Sequence, residues 1–162
     1  MLRFCYFFAH LFFICLVCGE ASAANENKKI ALLIGNGAYS SSPLSNPKND
    51  VQEFEKALIS IGFDIVGGSK RGIDLNQIEI KSIIKEFRNR IESEKMPVAL
   101  FFYSGHGVEF GGVNYMVPIS AEIENQDDLV LYGVSMQDAM NSIRFSGTSA
   151  QIYLFDACRN NP

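Results

Sequence analysis

Apolar and polar positions change period several times along the chain, and each change marks an element. Lys29 to Asn36 (KIALLIGN) is an unbroken apolar run closing on Gly and Asn, the pattern of a strand buried on both faces. A stretch rich in Ser, Pro and Asn follows over 40–47, after which Asp50-Val51-Gln52-Glu53 reads as a capping box opening a helix. Val51, Phe54, Ala57, Leu58 and Ile61 recur at helical spacing, and Gly62 ends the pattern. Phe63 to Val66 predicts a short second strand. Asp74 precedes a second amphipathic helix, with Ile78, Ile83, Ile84, Phe87 and Ile91 as its expected inner face and an end before Pro97. Val98 to Tyr103 (VALFFY) predicts a third strand, broken by Gly105-His106-Gly107 acting as a turn. Gly111-Gly112 predicts a small hairpin, Val134 to Ile143 a further helix, and Gln151 to Phe155 a fourth strand.

Strands alternating with helices predict an α/β layer architecture with a mostly parallel sheet and right-handed crossovers covering both faces. In such open sheets ligands bind beyond the carboxyl ends of the strands. His106 is expected just past the end of the third strand and Cys158 just past the fourth. As neighbours about 4.8 Å apart, those strands would bring both residues to one rim.

Composition narrows the picture. A chain of 162 residues, about half of them apolar, has room for one core. The formal net charge of -4 and the interspersed Lys and Glu leave no basic stripe for a phosphate backbone, so nucleic acid is not an expected partner. The first residues do not belong to the core. Arg3, the apolar run Phe4 to Cys18 and the small residues Ala21-Ser22-Ala23 read as a signal peptide over 1–23, leaving a domain over 24–162 and a periplasmic or secreted location. An uncleaved anchor is the alternative, but the run is shorter than the roughly 20 residues that span a bilayer. No stable membrane span is expected after cleavage.

Cleavage removes Cys5, Cys15, Cys18 and His10, so the remaining chain keeps Cys158 as its one thiol and His106 as its one imidazole. One Cys and one His fall short of a zinc site, and neither a metal nor another cofactor is expected. A lone thiol in an exported domain is either buried and inert or free and reactive. An imidazole beside it can accept its proton, the activation a cysteine nucleophile needs. Against a buried Cys and an unrelated turn His stand three features: both residues lie at strand ends, glycines flank His106, and Asp156 precedes Cys158 at the mouth of an apolar strand. A dinucleotide site at Gly35 to Ser40 fails for want of the third glycine.

The segments LLIGNGAY (Leu32 to Tyr39), NPKNDV (Asn46 to Val51), FFYSGHG (Phe101 to Gly107), NYMVP (Asn114 to Pro118) and LFDACRNNP (Leu154 to Pro162) together resemble the caspase-like cysteine peptidases, closest to the bacterial and paracaspase branch. The resemblance implies a three-layer caspase-like sandwich and a peptide or protein substrate. It implies His106 as general base, Cys158 as nucleophile, and the backbone N–H groups of Gly107 and Cys158 as oxyanion donors. Asp50 and Asp156 match acids that line the pocket for a substrate Arg or Lys, although Asp50 reads equally well as a helix N-cap. Arg159 stands where metacaspases carry His-Ser-Gly, so no calcium requirement follows. Family domains continue past the nucleophile block with further strands and another pocket acid. A missing C-terminal half, or another chain, is therefore expected to cover the apolar strand Gln151 to Phe155. The rival expectation is a catalytically silent module that keeps the sheet as a scaffold.

Amino-terminal sequencing of exported material is expected to read from Ala24. Recovery from the membrane of a chain that retains Phe4 to Cys18 would overturn the signal-peptide assignment.

Overall fold

The computed structural model describes residues 27–158, so the expected signal peptide and Arg159 lie outside the described residues. In chain order the elements are β1 (Lys29–Gly35), α1 (Pro47–Ser60), β2 (Phe63–Gly67), α2 (Gly68–Arg71), α3 (Gln77–Glu92), β3 (Val98–Phe110), β4 (Val113–Met116), α4 (Gln126–Tyr132), β5 (Val134–Ser135), α5 (Met136–Arg144) and β6 (Ala150–Cys158). Strands β2, β1, β3 and β6 lie side by side in that order and all run parallel. The end of β3 turns back through β4, which pairs antiparallel with both β3 and β5. The expected mostly parallel α/β sheet is therefore present, with an antiparallel appendage at its carboxyl end.

Two apolar layers sandwich the sheet. On one face Ala31, Leu33 and Leu100 pack with Val51 and Leu58 of α1. On the other, Ile30, Leu32, Ala99, Phe101 and Tyr103 pack with α3 and α5 through Ile80, Ile84, Phe87, Ile91, Ala139 and Ile143. Alternate residues of β1 and β3 thus serve opposite layers, which is why both strands read as continuous apolar runs. The three-layer arrangement follows directly. No helix among the described residues is long and apolar enough to cross a membrane.

Several boundaries differ from the sequence expectation. Helix α1 begins at Pro47 with Asn46 as N-cap, three residues before Asp50. Proline suits the first helical position because its fixed φ is already helical and its missing N–H would have had no partner. Close contact allows this start to sit against β1: a Cβ at Gly35 would lie 2.6 Å from the Pro47 carbonyl oxygen and 2.8 Å from a Val51 methyl. Ala57 and Ile61 are exposed, so the buried stripe of α1 is narrower than the spacing suggested. Helix α3 is capped by Asn76, whose side chain accepts from Ile78 and Glu79 N–H while Glu79 reaches back to Asn76 N–H. Its inner face uses Ile80 in place of Ile78, which is 78% exposed.

The largest difference concerns β3. Gly105-His106-Gly107 is no turn: the strand runs unbroken to Phe110, because its backbone is paired with β6 through His106 and with β4 from Gly107 onward. The reversal comes at Gly111-Gly112, where φ values of 60° and 80° provide the left-handed pair a tight hairpin needs. The stretch expected as one helix from Val134 divides into β5 and α5, with Ser135 capping α5 through a bond from Asp138 N–H. Helices α2 and α4 were not anticipated, both being too short for a periodic signal.

The corrected face of α3 can be tested by urea unfolding. Ile80→Ala is expected to cost about 2–5 kcal/mol through the cavity it leaves. Ile78→Ala should stay within about 0.5 kcal/mol of the parent.

Candidate active site

Parallel pairing of β3 and β6 sets Ser104 beside Asp156, Gly105 beside Ala157 and His106 beside Cys158 at the carboxyl end of the sheet. The expected juxtaposition is thus realised in the backbone register, though both positions belong to strands and not to loops beyond them. Leu100 and Phe102 pack toward α1, so alternation places Ser104 and His106 on that same face. Asp156, the cross-strand neighbour of Ser104, shares it and is exposed.

Asp50 approaches from above. It sits in the first turn of α1, where its N–H bonds to Asn46 O, and its side chain does not cap the helix. Instead its carboxylate accepts a hydrogen bond of 3.1 Å from the Ser104 hydroxyl. The N-cap alternative is excluded by this geometry. One buried serine therefore has a carboxylate on either hand: Asp50 through the hydrogen bond and Asp156 through the strand register.

The loop between β1 and α1 supplies the partner of the imidazole. His106 Nε2 lies 2.7 Å from the Ser42 carbonyl oxygen. A carbonyl only accepts, so in this contact Nε2 is the donor, which in the neutral imidazole leaves the lone pair on Nδ1. The loop is held at its base by Asp74, whose carboxylate accepts from Gly37 and Ala38 N–H at 2.8 Å each. This is the role Asp74 plays in place of the helix start expected for it. Asn36, fully buried, ties the same region to two other loops: its side chain donates to Leu75 O at 3.0 Å and Val117 O at 3.3 Å, and accepts from Leu75 N–H.

Two tyrosines complete the surroundings of His106. The Tyr39 ring lies 4.4 Å from the imidazole, centroid to centroid. Its hydroxyl accepts from His106 N–H at 3.0 Å and donates to Val117 O at 3.0 Å. The Tyr103 hydroxyl donates to His106 O at 2.8 Å. Burial pushes the Tyr39 pKa up and the Tyr103 pKa well above its ordinary value, so both hydroxyls remain protonated donors.

His106 N–H and C=O both face the β4 side, where Val117 N–H also bonds to His106 O at 3.0 Å. Backbone groups of successive strand residues point to opposite edges, so the Gly107 N–H faces the β6 side. On the sheet face away from Asp50, a cleft of about 330 Å³ opens between Gly107, Val108, Met136, Met140, Tyr153 and Phe155. The rim is polar on one face and apolar on the other.

Reading the sequence for Gly-His-Gly and Asp-x-Cys missed Ser42, Ser104, Tyr39 and Tyr103. Ser42 acts through its carbonyl, which leaves no mark in the sequence. Tyr103 could have been found: it alternates with Phe101 on a buried face, and a buried phenol requires a partner.

A family profile described as the caspase domain matches residues 28–162. The human protein named mucosa-associated lymphoid tissue lymphoma translocation protein 1 is 31% identical over 132 residues, which is 81% of this chain and 15% of that protein. Its mouse homologue matches at the same identity and coverage. The chain thus spans only a small part of the length of these relatives, but the match runs through β1 to β6 and takes in both the His106 and Cys158 positions. By that match, and by the α/β sheet on which it falls, the chain belongs to the caspase-domain family of cysteine peptidases.

Proposed function

We propose that this chain carries the nucleophile and general base of a cysteine endopeptidase that cuts after Arg or Lys. The observation that carries the proposal is the register that sets His106 beside Cys158 on adjacent parallel strands. A base already donating through Nε2 to a carbonyl has its other nitrogen available to take the thiol proton. The Cys158 thiolate then adds to the scissile carbonyl carbon, and the Gly107 and Cys158 N–H groups receive the negative charge on oxygen. Collapse breaks the C–N bond as the His106 imidazolium returns its proton to the leaving amine. Water, deprotonated by His106, next attacks the thioester and releases the acid and the thiolate.

Asp50 and Asp156 on the same face support a cationic residue before the cut. A substrate carboxylate would meet like charge there, whereas guanidinium or ammonium would be paired. The working enzyme also includes a further segment or chain over β6. Ile152 and Leu154 of that strand are each 41% exposed on the α1 side, and among the described residues β6 pairs with β3 alone. Export after removal of residues 1–23 remains part of the reading.

Iodoacetamide labelling of Cys158, mapped by peptide mass as a function of pH, tests the dyad. The labelling midpoint is expected below the roughly 8.5 of an isolated thiol and should rise in His106→Ala. A midpoint near 8.5 that His106→Ala leaves unchanged would favour the catalytically silent scaffold.

The pocket is tested separately, in a form with β6 covered, with peptides that differ only at the residue before the cut. Asp156→Asn is expected to lower kcat/KM for an Arg substrate about 30-fold or more, corresponding to roughly 2 kcal/mol or above for removing one member of a charge pair, with thiol labelling nearly unaffected. Faster cleavage after Asp than after Arg would remove the basic specificity and leave the dyad standing.

A further inference from the structure

The peptide unit of His106 is gripped by side chains where a regular ladder would use backbone. In an antiparallel ladder every second pair of directly opposed residues exchanges both hydrogen bonds. At the mouth of the β3–β4 hairpin only one of the two is made, from Val117 N–H to His106 O at 3.0 Å. The Tyr39 hydroxyl occupies the place of the other: it accepts from His106 N–H and passes its own proton to Val117 O, at 3.0 Å in each case. The Tyr103 hydroxyl, 3.3 Å from that of Tyr39, bonds to the His106 carbonyl.

We propose that Tyr39 and Tyr103 are positioning residues for His106, with the Tyr39 hydroxyl inserted into the β3–β4 ladder so that it sets the direction in which the imidazole leaves the strand. The proposal rests on reading His106 as the base. Three observations carry it. First, both phenols are almost wholly buried, with Tyr103 at 0% and Tyr39 at 7% exposure, so their hydroxyls are fixed by protein partners and not by solvent. Second, the Tyr39 ring packs against the imidazole while the same residue belongs to the loop that brings Ser42 to Nε2. One side chain thus orders the backbone, the ring and the orienting carbonyl together. Third, Gly105 is shaped by the pair. A Cβ there would lie 2.7 Å from the Tyr103 hydroxyl oxygen and 2.9 Å from that of Tyr39. The glycine before His106 leaves room for two hydroxyls.

The test follows the His106 imidazole resonances by NMR in the full chain labelled at histidine. They are assigned by their loss in His106→Gln, since His10 is the one other histidine. Tyr39→Phe and Tyr103→Phe are each expected to shift these resonances and raise ring mobility. They should also slow iodoacetamide alkylation of Cys158 at neutral pH by roughly tenfold or more, the scale of loss that small misplacements cause. Tyr132→Phe, at an exposed tyrosine away from the rim, should change neither. Gly105→Ala is expected to act like the tyrosine variants, and Gly105→Ala with Tyr103→Phe to be no worse than the poorer single variant, because both act on one contact. Unchanged His106 resonances in a folded Tyr39→Phe variant would overturn the proposal. If Tyr39→Phe fails to fold, Gly105→Ala decides, and a folded Gly105→Ala with parental resonances would overturn it equally. Alkylation indifferent to His106→Gln, together with resonances that do respond to Tyr39→Phe, would count against the dyad and not against the tyrosine clamp.

Discussion

Strand β3 is paired along both edges from Val98 to Ser104, by β1 on one side and β6 on the other, and its last residues exchange these partners for β4. Everything near the rim takes its position from that continuous backbone. Each residue between Phe102 and Gly107 is assigned a face by alternation and an edge by the ladder, so Ser104 and His106 turn to α1, Tyr103 turns to α3, and Gly107 N–H turns to β6. A turn at Gly105-His106-Gly107 would have released these constraints. The unbroken strand makes His106 part of the sheet itself, which favours precise placement over mobility.

The boundary between apolar core and polar rim is also sharp. Below Phe102 the strand buries only hydrocarbon and aromatic groups, whereas at its end Ser104, Tyr103 and the nearby Asn36 are buried with polar atoms. Each of these has a named partner: Asp50 for Ser104, His106 O for Tyr103, and Leu75 and Val117 for Asn36. Val117 O alone is within hydrogen-bonding distance of Asn36, Tyr39 and Tyr103. Satisfied networks of this kind select one arrangement of the loops, since any alternative leaves a buried donor or acceptor without a partner.

How much of this was legible in the sequence depended on the physical signal each feature leaves. β1 and β6 carry apolar runs that only a sheet can bury, and the alternation with α1 and α3 fixes the layer order, so the architecture could be read directly. Helix ends were read less well, because Asp50 and Asp74 fit the N-cap preference while the N-cap positions fall to Asn46, four residues before Asp50, and Asn76, two after Asp74, of which only Asn76 caps with its side chain. Asp50 is drawn to Ser104 and Asp74 to Gly37 and Ala38, partners that are distant in sequence and leave no local pattern. Ile78 and Ile80 are indistinguishable as residues, and only the start of α3 decides which of them faces the core. The turn expected at Gly105-His106-Gly107 failed for a related reason: Gly105 is required by the close approach of two hydroxyls and not by a change of chain direction.

The two carboxylates beside Ser104 stand on different mounts. Asp156 belongs to a strand and moves only if the sheet moves, whereas Asp50 rides on the first turn of a helix whose start sits against Gly35 of β1. A methyl group at Gly35 would meet the Pro47 carbonyl and Val51, and the helix would have to tilt to make room. The spacing between the acids is therefore adjustable from a residue that touches neither of them. A substitution at that contact, in register with Ser104, would shift Asp50 relative to Asp156 with both acids themselves unchanged.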